Sequence, residues 1–438
     1  MSLRERMGTV HFRLSNWVAD HNSEVLLAGA FAAVFAVAAW FLVLPIPEPY
    51  LIYVLADHHT DPYTMNTLLT KAAMSHTMPI RRIDGVPVFI EVDQLSDDSE
   101  GTIRTKAAEI SLRSDVLLVI GHLPSQLAEA ALKVLLETRP QIPFIATVSS
   151  DDNLLSQCPG GSSCFADDQF VPLLQLTPTN EVQGQSAVTY ATIQGKRRFL
   201  IVYDNDKDNA AYATNLVQAY EAGIKNFNQS VKKGDKLAEI AGEYKMDAPP
   251  NIAELKAWKS DCILYAGGMG EGLSFLTALG QANLQTMVIF SDSSVQDGFS
   301  PRDLKDFPGT LFTNQIDAND FNEHKNVYVE DAFAIAGQLI DDVQRRREDR
   351  RLRFKTFAHI QTARDVRRNL NRAMKQNSIS HSWYEGSAPE SVYAFNKYKR
   401  FGGLFHVWQL RSASEKNAHM DDVDHWHVPR PPTEIGGQ

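Results

Sequence analysis

The sequence predicts an α/β fold: two doubly wound parallel sheets in succession, preceded by one membrane-spanning helix. Three observations carry this. Short apolar, β-rich runs alternate with helical stretches, the pattern of a parallel sheet with helices on both faces. The alternation restarts at Phe199. Ahead of both halves, Val25 to Leu44 is a run of twenty uncharged and almost wholly apolar residues. Of the 438 residues, 438 − 44 = 394 follow Leu44, enough for two buried cores. A hydrophobic share of 44% excludes wholesale disorder, and the lack of a second apolar run of that length excludes a multi-span membrane protein. The net charge of −10 argues against nucleic acid as the main partner.

Twenty helical residues span about 30 Å, the thickness of a bilayer's hydrocarbon core. Arg4, Arg6 and Arg13 lie upstream, and no Lys or Arg follows until Lys71. That bias places residues 1–24 in the cytoplasm and the bulk of the chain outside, periplasmic or extracellular. Trp40 and Tyr50 suit the outer interface, and Pro45, Pro47 and Pro49 end the helix in a stiff linker. A cleaved signal peptide is the other reading, with Ala36-Val37-Ala38 as its cleavage site. In either case the bulk leaves the cytoplasm. Cys158 and Cys164 bracket a five-residue loop and suit a small disulfide there, whereas Cys262 sits in an apolar run and reads as core.

The first strand is Leu51 to Leu55, followed by Val88 to Val92, Val116 to Ile120 and Phe144 to Val148. Helical patterns lie between them at Tyr63 to Ser75, Glu100 to Leu112 and Ser125 to Glu137, the last with Ser125 as its N-cap candidate. The second half repeats the theme with strands at Phe199 to Tyr203, Cys262 to Ala266, Met287 to Phe290 and Thr310 to Thr313, and helices at Ala211 to Glu221 and Leu273 to Gln281. Val329, Phe333, Ala336, Ile340 and Val343 form one apolar helix face. Residues 341–375 then hold 12 of the 43 basic residues against 5 acids, either a patch for an anionic partner or membrane surface or a solvated helix pair. Ser391 to Gln409 reads as an aromatic β-hairpin turning near Gly402-Gly403, and 412–438 as a loose tail.

Four stretches resemble the type I periplasmic binding proteins, in particular solute receptors of the branched-chain amino-acid type. They are Val119-Ile-Gly-His-Leu-Pro-Ser125, Ile142 to Ser150, Leu176 to Gly184 running into Arg198 to Asp206, and Leu264 to Gly268 followed by Asn283 to Thr286. Their order and spacing carry the likeness, which covers Leu51 to Arg411. The resemblance implies two Rossmann-like lobes joined by three crossings, with ligand held between them. Lobe one is then expected over 50–178 and 317–388, and lobe two over 179–316 and 389–411.

Candidate ligand residues sit where such strands end. Ser125 opens a helix, and its hydroxyl with the helix N–H groups suits a carboxylate or other anionic oxygen. The resemblance gives the matching Ser that role and adds Ser149 and Ser150. Asp292 falls where the family's acidic ligand residue faces an ammonium group. Asn180, beside Glu181, stands where amino-acid receptors tend to carry Asp, and Asp208 and Met269 replace aromatic residues that would wall the cleft. These departures leave a branched-chain amino acid and another small polar ligand both open.

The implied function is a membrane-tethered extracytoplasmic receptor that closes over an amino acid or related amide or acid and hands it to an ABC-type permease. The alternative is a sensing or protein-interacting ectodomain that signals through a partner. Gly268 to Gly272 is G-x-G-x-G and falls too late in the chain for a dinucleotide fingerprint. Asp421 to His427 has metal-ligand chemistry but lies in the expected tail. No G-x-S-x-G, H-E-x-x-H or P-loop is present, so no enzyme activity, cofactor or metal is expected.

Overall fold

The structure is a computed structural model of the full chain. It describes residues 48–151, 154, 171–204, 210–246, 252–282, 284, 286–295, 307, 310–314, 327–354, 362–376, 378–380, 392–394, 399–401, 404–411 and 419–427, with Phe31. Two compact units divide the chain, Met1–Glu48 and Pro49–Gln438. Within the first, Phe31 is helical and exposed, and the rest of 25–44 lies outside the described residues. No helix among the described residues is long and apolar enough to cross a membrane.

The second unit begins with sheet A. Its strands are β1 (Tyr50–Ala56), β2 (Arg81–Ile83), β3 (Val86–Gln94), β4 (Val116–His122), β5 (Phe144–Ala146) and β6 (Leu173–Gln175), in the order β2-β3-β1-β4-β5-β6. All but β2 run parallel. Helices α1 (Pro62–Thr77), α2 (Glu100–Leu112) and α3 (Ser125–Leu135) connect them. Period-two alternation explains why both faces are covered. Ile52, Val54 and Ala56 of β1 pack with one helix set, while Leu51, Tyr53 and Leu55 pack with α2 and α3 on the other face.

Sheet B follows with β7 (Arg198–Asp204), β8 (Glu239–Met246), β9 (Cys262–Ala266), β10 (Met287–Phe290), β11 (Leu311–Asn314), β15 (Leu404–Arg411) and β16 (His419–His427), ordered β16-β15-β11-β10-β9-β7-β8. Helices α4 (Asn180–Ile193) and α5 (Ala210–Ser230) cover one face, and α6 (Ile252–Trp258) and α7 (Met269–Gln281) the other. The chain then returns to sheet A. Helices α8 (Val327–Phe354) and α9 (Ala363–Gln376) join α1 on the β1–β3 face through Val329, Phe333, Ala336, Ile340 and Val343 and through Val366 and Leu370. The expected apolar face of α8 is therefore the one buried.

Several expectations are corrected. Tyr50 is not an interfacial aromatic: it is the first residue of β1, 4% exposed and paired with Val88. The expected hairpin around Gly402-Gly403 is two different sheets. β14 (Lys399–Phe401) belongs to a small antiparallel sheet with β12 (Ser378–Ser380) and β13 (Val392–Ala394), whereas β15 adds antiparallel to β11. The stretch expected as a loose tail contains β16, paired antiparallel along the whole of β15. Its backbone hydrogen bonds outweigh a composition that reads as polar loop. Cys262 is buried in β9, as its apolar run predicts, and burial pushes its thiol pKa up. Cys158 and Cys164 lie outside the described residues.

Candidate functional site

In sheet A the chain passes from β1 to β3 on one side and then to β4 on the other. The crevice beyond the carboxyl ends of β1 and β4 is therefore the switch point, where open α/β sheets bind ligands. The residues leaving β1, β4 and β5 there are Asp57, then His122 to Ser125, then Thr147 to Asp151.

Ser125 is not the N-cap of α3. Pro124 holds that position without a side-chain cap, and Ser125 is the first helical residue. Its hydroxyl is engaged elsewhere: Ser149 Oγ donates to Ser125 Oγ at 3.1 Å. Two hydroxyls from successive strand ends thus meet beside a helix terminus whose first N–H groups receive no side-chain cap, an arrangement suited to an anionic oxygen. Ser149 is further fixed through its carbonyl, which accepts from Gln175 Nε2 at 2.7 Å and from the hydroxyl of Thr177.

Ser150 links this corner to sheet B. Its carbonyl accepts from the backbone N–H of Asn180, the first residue of α4, at 2.8 Å. Asn180 is fully buried, and its Nδ2 donates to Asn215 Oδ1 on α5 at 2.7 Å. Its own Oδ1 is buried with no hydrogen-bond partner among the described residues. One helical turn on, Gln183 donates through Nε2 to Thr313 Oγ1 at 2.9 Å. Tyr212 on α5 approaches Gln183 Oε1 at 3.5 Å and donates its hydroxyl to Asp292 Oδ1. Asp292 opens one turn of 3-10 helix after β10 and also accepts from the Ser293 amide at 3.0 Å.

Asp292 is only 2% exposed. Burial raises its carboxyl pKa, and the bonds from Tyr212, Gln183 and Ser293 oppose that rise. It is held beside sheet B by neutral donors. Met269, the first residue of α7, is half-buried and packs on the core cluster of Leu276 and Phe290. Asp208 lies outside the described residues. The structure thus brings Ser125, Ser149, Ser150, Asn180 and Asp292 into one polar seam and leaves Met269 packed, half-buried, against a core of sheet B.

Sequence reasoning missed Gln175, Gln183, Tyr212 and Asn215, which build that seam. The available signal was the i, i+3 spacing of Asn180 with Gln183 and of Tyr212 with Asn215, which puts each pair on one helix face. It also missed two titratable groups at the mouth of sheet A. Asp57 is buried, and its pKa rises to about 6 through desolvation, against the Thr60 hydroxyl that donates to it at 2.6 Å. His122 Nδ1 lies 2.8 Å from Thr147 Oγ1, and burial lowers its pKa to about 4.

No protein-family model matches the sequence, and no curated protein sequence matches it. Solved structures do match. An ABC transporter substrate-binding protein from Desulfitobacterium hafniense, in complex with Leu, superposes with a TM-score of 0.59 at 13% identity, covering 86% of this chain and 100% of that one. The leucine-binding protein LivK of Thermotoga maritima gives 0.59 at 13%, over 86% and 98%. A solute-binding protein of an ABC transporter from R. palustris, in complex with 4-hydroxybenzoate, gives 0.58 at 12%, over 89% and 100%. The chain has the two-sheet α/β fold of the type I periplasmic binding proteins.

Proposed function

We propose that this chain is an extracytoplasmic solute receptor, tethered by residues 25–44 with its N-terminus in the cytoplasm, that captures a small carboxylate-bearing solute between lobes and delivers it to an ABC-type permease. Lobe one comprises 50–178 and 317–388, and lobe two 179–316 and 389–411, to which β16 adds His419–His427. The observation that carries the reading is the Ser149–Ser125 hydroxyl pair at the switch point of sheet A, beside the uncapped start of α3. The bound molecules of structural neighbours agree with it. Leu and 4-hydroxybenzoate both present a carboxylate, the group such a corner recognises.

The test is a thermal-shift screen of the full chain against amino acids, aromatic and aliphatic acids, amides and sugars, followed by calorimetry on the hits. A ligand at about 100 times its Kd adds about 2.7 kcal/mol of stability. Acids are expected to shift the transition, and Ser125→Ala is expected to weaken their binding by at least about tenfold. Hits confined to sugars, or an unchanged affinity in Ser125→Ala, would remove the carboxylate corner from the account.

A further inference from the structure

The turn that carries Ser149 and Ser150 is clasped by two carboxamide residues, and each leaves one oxygen without a donor. Gln175, at the end of β6, is 1% exposed, and its Nε2 donates to the carbonyls of Ser149 at 2.7 Å and Asp151 at 3.3 Å. A carbonyl only accepts, so these two bonds fix which arm of the amide is nitrogen. The other arm, Oε1, is buried and has no partner among the described residues. Asn180 holds the same turn through its backbone N–H and commits its Nδ2 to Asn215. Its Oδ1 is likewise buried and without a partner among the described residues. Buried acceptors left in this state are uncommon in folded proteins, and each costs stability until a donor reaches it.

The charge around these oxygens decides which kind of donor suits them. Ser125, Ser149, Thr177, Gln183, Tyr212 and Asn215, the groups hydrogen-bonded into the seam, are all neutral. The carboxylate bonded into it, Asp292, already accepts from the Tyr212 hydroxyl and the Ser293 amide, and burial pushes it toward protonation. Asp57, Asp151 and Asp204 are buried too and have partners of their own. An ammonium group pays a large desolvation cost in such surroundings unless a full negative charge faces it. A hydroxyl or an amide N–H meets a carboxamide oxygen without that cost.

We infer that the solute presents a neutral hydrogen-bond donor, a hydroxyl or an amide N–H, to Asn180 and Gln175, so that the receptor selects hydroxy acids and amide acids over amino acids of the same skeleton. The inference rests on the carboxylate corner proposed above, which holds the solute's acid group. The serine pair anchors the solute, and the two carboxamide oxygens set its class. A site with buried acceptors rejects a ligand that leaves them unmet far more strongly than it rejects a small change of apolar shape.

Calorimetry on the full chain compares matched pairs that share a carboxylate and differ in the donor: lactate with alanine, mandelate with phenylglycine, and succinamate with γ-aminobutyrate. In each pair that binds, the neutral member is expected to bind at least about tenfold more tightly than the ammonium member. Equal affinities mean that water meets both oxygens; that result, or a tighter ammonium member, overturns the inference and leaves the carboxylate corner standing. The preference for mandelate over phenylacetate is expected to fall at least about tenfold in Asn180→Leu or in Gln175→Met. A preference unchanged in both variants overturns the inference, and the matched pairs on the unaltered chain need no variant to fold. If none of the pairs binds, the wider thermal-shift screen decides. Hits among hydroxy or amide acids uphold the inference, and hits confined to ammonium compounds overturn it. Hits confined to sugars or neutral amides uphold the neutral donor and remove the carboxylate corner. No hit in any class overturns both.

Discussion

The backbone N–H of Asn180 donates to the carbonyl of Ser150 at 2.8 Å, so the residue that opens α4 is tied to the turn that follows β5. This bond spans the first passage of the chain from sheet A to sheet B. It joins the first residue of α4 to the turn that carries Ser149 and Ser150. The side-chain oxygen of Asn180 is buried and has no partner among the described residues, while its nitrogen is taken by Asn215. A buried acceptor without a donor costs free energy that a ligand's N–H or O–H can recover.

Asn180→Asp tests that relation. The substitution introduces a negative charge where a neutral amide now stands. Affinity for α-amino acids is expected to rise at least about tenfold relative to acids of the same skeleton without the ammonium group. The measurement is a pair of calorimetric titrations, one per ligand, on both proteins. An equal change for both ligands would mean that residue 180 does not face the ligand's nitrogen.

A second prediction concerns Tyr212 and Asp292. The phenol is the strongest side-chain donor to a carboxylate that burial already pushes toward protonation. Tyr212→Phe is expected to cost about 1–3 kcal/mol in urea unfolding. Removing the donor raises the folded-state pKa of Asp292 further. The raised pKa makes the deficit smallest where the carboxyl is protonated in both states. The deficit therefore grows as pH rises. A deficit independent of pH between 4 and 8 would show that the bond is made equally to the neutral acid.

Much of this architecture was legible from the sequence, because strands buried on both faces announce themselves. β1, β4, β7 and β9 are continuous apolar runs, and β9 and α2 occupy the predicted residues without change. Ser125 was legible for the same reason, since it follows such a run at short range, whereas Ser149 was singled out by the resemblance alone. What escaped depends on pairing across long separations. β8 is an edge strand carrying Glu239, Glu243 and Lys245, and charge on an edge is protective but hides the strand. β16 is polar and exists because β15 pairs with it. The seam of Gln183, Tyr212 and Asn215 exists only because α4 and α5 lie against each other, which no local pattern encodes.

That helix contact is itself testable. A Cβ on Gly184 of α4 would stand 2.5 Å from the backbone carbon of Ala219 and 2.6 Å from its oxygen on α5. Backbone cannot rotate away as a side chain can, so α4 and α5 must separate. Gly184→Ala is expected to destabilise by about 1–3 kcal/mol, despite alanine's better helix propensity. It is also expected to weaken ligand binding, because Asn180 and Gln183 move with α4. Gly223→Ala, whose nearest contact would be 3.1 Å from the Gly184 oxygen, is the milder control. Equal midpoints for the two variants would place the helices farther apart than described.

The last prediction uses the two titratable groups at the mouth of sheet A. The Asp57 amide donates to the carbonyl of His122 at 3.2 Å, so both side chains leave neighbouring strand ends. Asp57 has a folded-state pKa of about 6, above its unfolded value. Its contribution is fully present below about pH 4 and is lost as pH rises through 6. His122 has a folded-state pKa of about 4, below its unfolded value near 6.5. Its contribution is fully present above that unfolded value and is lost as pH falls through 4. Between pH 4 and 6 the unfolded chain holds one more proton at position 122 and one fewer at position 57. The two slopes cancel, and the unaltered protein is expected to show nearly flat stability from this pair. Each single variant unmasks the other group. Asp57→Asn is expected to lose stability on acidification from pH 6 to 4 by about 1.4 kcal/mol per unit, and His122→Gln to gain it by the same slope. Urea unfolding of the two variants at pH 4, 5 and 6 checks the pair. Parallel slopes would refute opposed burial, whereas mirror-image slopes would establish that the ligand mouth of sheet A is uncharged through this range.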